Sequence, residues 1–143
     1  MNQATGPQAT DSEIGYRAEF ALGEHSVRHL RRILRLYLTG SGLIELADAA
    51  ELALTELVAN VVRQVPDRRC RICFLFRPDG VRVEVADGCS RLPAVGVWDA
   101  LIDGGRGLFL VEAVTDRWGV TQRPTGVGKA VWFECLAKSP DER

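Results

Sequence analysis

Two alternating segments joined by a tight turn constrain this chain most. In residues 69–76, Cys70, Ile72, Phe74 and Phe76 alternate with Arg71, Cys73 and Leu75; further on, Val81, Val83 and Val85 alternate with Arg82 and Glu84. Every second side chain of a strand shares a face, so both segments read as strands with one apolar side. Arg77-Pro78-Asp79-Gly80 between them carries turn chemistry, because proline presets a turn-compatible φ and glycine tolerates tight backbone. An antiparallel hairpin follows, and the fold must bury one of its faces.

The other elements are arranged around that hairpin. Residues 1–15, rich in Gln, Thr, Gly and Asp, are expected to be a tail, and residues 16–20 a first short strand. From Glu24 to Thr39, Val27, Leu30, Leu34 and Tyr37 recur at helical spacing, while Arg28, Arg31, Arg32 and Arg35 fill the remaining positions. This is a basic amphipathic helix, stopped by Gly40 and Gly42. A second helix is predicted over 46–64 on Leu54, Leu57, Val58 and Val61, and Pro66 closes it. A loop over 88–104, a helix over 105–117, strands over 118–122 and 129–136 and a tail over 138–143 complete the chain. Because the helices do not alternate strictly with parallel strands, the expected class is α+β. It takes the form of a two-layer sandwich over residues 16–137, its mixed, mostly antiparallel sheet covered by helices on one face.

A length of 143 residues suits one domain, and 46% hydrophobic with 26% charged residues is an ordinary globular balance. Eighteen basic against nineteen acidic residues leave a net charge of -1, which gives no global attraction to nucleic acid or an anionic membrane. Neither a signal-type leader nor a run of ~20 apolar residues is visible, so a cytoplasmic location is expected. Cys70 and Cys73 look like a C-x-x-C motif, but an offset of three on a strand sends them to opposite faces. Small strand residues therefore fit better than a metal or redox pair. His25 and His29 share a helix face, with no glutamate after His25 of the zinc-protease kind.

Three polar features interrupt this plain pattern. Glu56 and Asn60 stack on one face of the second helix, with Arg63 and Gln64 a turn further on. Alone, they read as a solvated outer face. Asp87 ends an apolar strand before Gly88; this pair either turns the chain or presents a carboxylate to an adenine amino group beside a small residue. Gly104-Gly105-Arg106-Gly107-Leu108 opens a helix, where exposed N–H groups favour anions, or else is a flexible connection. No Lys-Ser or Lys-Thr follows, so it is not a P-loop.

In this order, the features resemble the GHKL ATPase family, and more closely its small anti-sigma factor serine kinases of the RsbW type. The matching stretches are Glu56-Leu57-Val58-Ala59-Asn60, then Val83 to Gly88 with Arg91-Leu92-Pro93, then Gly105-Arg106-Gly107-Leu108 through Val111-Glu112. Asp116-Arg117-Trp118-Gly119 and the segment from Gly128 to Glu134 follow. The similarity covers roughly residues 18 to 136 and implies the Bergerat ATP-binding fold.

It also implies roles. Glu56 would be the general base and Asn60 the Mg²⁺ ligand. Arg63, Asp87, Gly88, Gly104, Gly105, Arg106, Gly107 and Leu108 would join Asn60 around ATP, with Asp87 on adenine and Arg106 as a charge partner. The activity implied is phosphoryl transfer from ATP to a serine of an anti-sigma factor antagonist of the STAS type, with a sigma factor as second partner. Neither membrane nor nucleic acid is an expected partner, and relatives of this type often form a homodimer. Cys89 and Arg91 stand where the full pattern has glycine, and Gln64 where a histidine is common. A nucleotide-binding or nucleotide-free sequestering module without kinase activity is the alternative.

Overall fold

The computed structural model describes residues 13–89, 107–122 and 127–138. In chain order it comprises β1 (Glu13–Ala21), α1 (Ser26–Gly40), a short 3-10 turn (Ile44–Leu46), α2 (Ala47–Gln64), β2 (Arg69–Arg77) and β3 (Gly80–Asp87). Then come α3 (Gly107–Val114), β4 (Arg117–Gln122) and β5 (Lys129–Leu136). The strands form one sheet in the order β1-β2-β3-β5-β4, and all four pairings are antiparallel. That narrows the mixed, mostly antiparallel sheet expected from the sequence, within the expected α+β class.

Alternation sorts this sheet into two chemically distinct faces. On one, Tyr16, Phe74, Val83, Phe133 and Trp118 lie in a single row across all five strands. Phe74, Val83 and Phe133 are fully buried in that row, and Ile72, Val85 and Val131 form the next row. α2 packs over β3 and β5 and contacts both α1 and α3, so the helices close this face. The other face is charged. Glu134 is only 5% exposed there, with Arg82 Nη1 at 3.1 Å and Arg77 Nη2 at 3.8 Å from its Oε2. Arg117 Nη2 lies 2.7 Å from Oε1 without the alignment of a hydrogen bond. Arg82 also stacks 4.0 Å over the Trp132 ring.

Several boundaries differ from the sequence reading. β1 begins at Glu13, inside the stretch expected as tail. α1 buries Leu30, Leu34 and Leu38, whereas Tyr37 is 39% exposed and stacks on Phe76 at the border of the core. Both Tyr37 and Leu38 are apolar, so periodicity could not choose between them. α3 stops at Val114, because Arg117 already belongs to β4.

The C-x-x-C cysteines do point to opposite faces: Cys70 belongs to the helix-covered core and Cys73 pairs with Glu84 on the charged face. Burial pushes the Cys70 thiol up to about 11, with Asp87 adding to the effect, and burial pushes Cys135 up to about 12. These thiols stay protonated at neutral pH, which disfavours thiolate metal ligation.

Pro78 and Asp79 alone connect β2 to β3, with Arg77 paired to Gly80 across the hairpin. A Cβ at Gly80 would sit 2.5 Å from the Cys135 carbonyl oxygen, a backbone atom that cannot rotate away. Gly80→Ala is therefore expected to destabilise the domain by about 1–3 kcal/mol. Urea denaturation measures the loss, and an unchanged midpoint would contradict this packing.

Candidate functional site

Glu56 and Asn60 occupy successive turns of α2, but their surroundings differ. Glu56 is half-buried, with neither hydrogen bond nor ion pair among the described residues. Asn60 is 6% exposed; its Oδ1 accepts a hydrogen bond from Arg63 Nη2 at 2.5 Å, while its Nδ2 has no partner among the described residues. One turn on, the buried Oε1 of Gln64 likewise has none among the described residues. A buried donor or acceptor left unsatisfied costs about 1–3 kcal/mol. Among the described residues, adjacent turns of α2 thus hold an unused donor and an unused acceptor. Asn60 is consequently no part of a solvated face, although the sequence alone allowed that.

α2 ends just beyond these residues because Val65 is extended and Pro66 follows it. Arg68 then turns the chain through a left-handed φ of 56°, and its carbonyl accepts the Leu22 N–H at 2.8 Å. This turn delivers the chain into β2 beside the end of β3.

At that end, Asp87 shares its row with Cys70 on β2 and Lys129 on β5. Asp87 is 4% exposed and Lys129 2%. Lys129 Nζ donates to Asp87 Oδ1 at 3.0 Å, to Oδ2 at 3.1 Å and to the Cys89 carbonyl at 3.2 Å. The Cys89 N–H donates to Asp87 Oδ1 at 2.8 Å. Backbone geometry helps place the lysine: Gly128 takes a φ of 89°, open to glycine, immediately before β5 starts. Sequence reading missed Lys129. Its signal was phase, since Lys129 is two residues before Val131 and thus on the same strand face.

Gly88 is exposed, and none of the described residues lies within 4 Å of where a Cβ would project, so they leave the backbone next to Asp87 open to close approach. A cleft of about 430 Å³ beside it is lined by Val65, Pro66, Asp67, Arg69, Gly88 and Cys89. Asp87 itself borders a smaller one of about 180 Å³. Of the glycine-rich stretch, Gly104, Gly105 and Arg106 lie outside the described residues, as do Arg91, Leu92 and Pro93. Gly107 opens α3, and Leu108 is 1% exposed in the core, so its side chain serves packing. α3 lies against α2, which brings this helix start to the helix that carries Glu56 and Asn60.

Among the described residues no group of three or more His, Cys, Asp or Glu could hold a metal ion. Mg²⁺ seldom sits in an all-protein cage, and one amide oxygen with substrate phosphates and water suits it. Asn60 Oδ1 fits that pattern once Arg63, an exposed and flexible side chain, releases it.

The basic face of α1 is partly used inside the molecule. Glu51 on α2 is 8% exposed, with Arg35 Nε at 2.5 Å and Arg31 Nε at 3.4 Å; Arg35 also reaches Asp48 at 2.9 Å. Of the four arginines, Arg28 and Arg32 are left facing solvent without such a bridge among the described residues.

A family model described as the histidine kinase-like ATPase domain matches residues 20–134. A search of curated proteins found no match.

A buried pair such as Asp87 and Lys129 is costly to break from one side, about 3–5 kcal/mol, because the remaining charge has no partner. Asp87→Ala and Lys129→Met should each lose that much in urea denaturation. The double variant should lose clearly less than the sum, whereas additive losses would show that the two are not coupled.

Proposed function

The chain belongs to the histidine kinase-like ATPase domain family, and from that membership we propose that it binds Mg·ATP and transfers the γ-phosphoryl group to a serine of a partner protein. The partner class proposed is an anti-sigma factor antagonist, with a sigma factor as the sequestered second partner; the whole is the reading of an anti-sigma-type protein kinase. The observation carrying the catalytic part is Glu56: half-buried on α2, without a partner among the described residues, one turn from a buried Asn60.

In this reading Glu56 takes the proton from the attacking serine hydroxyl, whose oxygen forms the new bond to the γ-phosphorus. The bond from that phosphorus to the bridging oxygen breaks, and ADP leaves with the electron pair. Mg²⁺, when bound through Asn60, would offset the phosphate charge. Arg63 turns from Asn60 to the phosphates as a cation, Asp87 accepts from the adenine amino group, and the open backbone at Gly88 admits the base. Gly107 opens α3, and the family resemblance assigns it, with Gly104, Gly105 and Arg106 before it in sequence, to the phosphates. Arg28 and Arg32 on α1 present the positive charge for an acidic partner surface.

One observation favours the second reading, a sequestering module without transfer. Arg63 already holds the Asn60 oxygen that the metal needs. Calorimetry with Mg·ATP tests the nucleotide-free form of that module, since the kinase reading requires binding that Asn60→Ala abolishes or weakens at least about tenfold.

Transfer of labelled phosphate to the antagonist should fall by about 10²-fold or more in Glu56→Ala, with ATP affinity little changed. Transfer that survived this substitution would remove Glu56 from the role of base.

A further inference from the structure

The carboxylate of Asp87 can read a nucleobase only with whatever hydrogen-bonding capacity its neighbours leave. An ionised carboxylate accepts at about four lone-pair positions and donates nothing. Among the described residues three of those positions are engaged: Oδ1 receives Cys89 N–H and Lys129 Nζ, and Oδ2 receives Lys129 Nζ. Oδ2 therefore keeps room for one more donor. Lys129 also bonds the Cys89 carbonyl, so ammonium, carboxylate and the Cys89 backbone close a ring that fixes the carboxylate plane. Each side chain of the ion pair is only 2% exposed, so solvent does little to weaken it.

We infer that Lys129 is a specificity-determining residue for the nucleobase: by holding its charge against both Asp87 oxygens, it makes Asp87 an acceptor with room for a single donor. Such an edge suits the exocyclic amino group of adenine. In the same pose a 6-carbonyl, as in guanine or hypoxanthine, would bring oxygen against oxygen, and the neighbouring N1–H would reach the carboxylate only after a shift of the base. The inference rests on the nucleotide reading proposed above. It differs from that reading in assigning discrimination to a lysine that need not touch the base. Without the ammonium, an unpaired buried carboxylate is relieved by taking a proton. A protonated carboxyl can donate to a carbonyl as well as accept from an amino group, and selection is lost.

Mg·ATP and Mg·ITP, which carry an amino and a carbonyl group at the purine 6-position, test this by calorimetric titration. Wild-type protein should bind ATP at least about tenfold more tightly than ITP, because a buried polar contact is left unmatched in the second case. Equal affinities would overturn the inference without any variant. Binding of neither nucleotide would instead sink the ATP reading itself. In Lys129→Met, checked for folding by circular dichroism, the gap should close to within about threefold; Lys129→Gln, which removes the charge but keeps a donor, should close it too. A folded neutral variant that keeps the wild-type gap would reduce Lys129 to a structural role. Should neither variant fold, equal wild-type affinities still overturn the inference.

Discussion

The strict two-residue alternation of β3 and β5 governs this domain. One face of those strands buries Val83, Val85, Val131 and Phe133 under α2, and the same face continues one row further to Asp87 and Lys129. Two ionisable groups are therefore carried into the covered layer by the pleat itself. A shift of one residue in either strand would turn its whole apolar set outward, so core packing enforces the register that joins them. Polar chemistry at the end of the sheet is thus held in place by the apolar rows behind it.

α2 contributes the complementary half of the site by mixing functions on one helix. Leu54, Leu57, Val58 and Val61 bind it to the sheet, and Glu51 ties it to α1 through Arg31 and Arg35. Between these anchors the helix buries Asn60 and leaves polar atoms of Asn60 and Gln64 without partners. A helix chosen for stability alone would not carry them, since each orphan opposes folding. They persist beside a Glu56 that has no partner among the described residues, as expected where function rather than stability sets the residue choice.

Charge is distributed unevenly despite a net value of -1. The sheet face away from the helices gathers Arg77, Arg82 and Arg117 around Glu134, and two of the four arginines of α1, Arg31 and Arg35, each about half exposed, bridge to Glu51. Much of the apparent basic character of the sequence is thereby neutralised within the fold. Arg28 and Arg32 form a smaller positive surface than the α1 sequence suggested, and partner recognition has to be judged on that smaller surface.

From sequence, the β2–β3 hairpin, the span of α2 and the α+β class were all legible, because periodicity and turn chemistry are local properties. Glu56, Asn60, Asp87 and the glycine-rich stretch could be singled out, and their order pointed to the family whose model covers residues 20–134. Local pattern could not show that Asn60 is buried, that Arg63 occupies its oxygen, or that Leu38 rather than Tyr37 completes the α1 stripe. Nor could it pair Asp87 with Lys129 across a sequence separation of 42 residues. Those facts depend on strand register and on which helix covers which strand. Only the folded sheet decides them, because burial and pairing are properties of neighbours that the chain brings together from a distance.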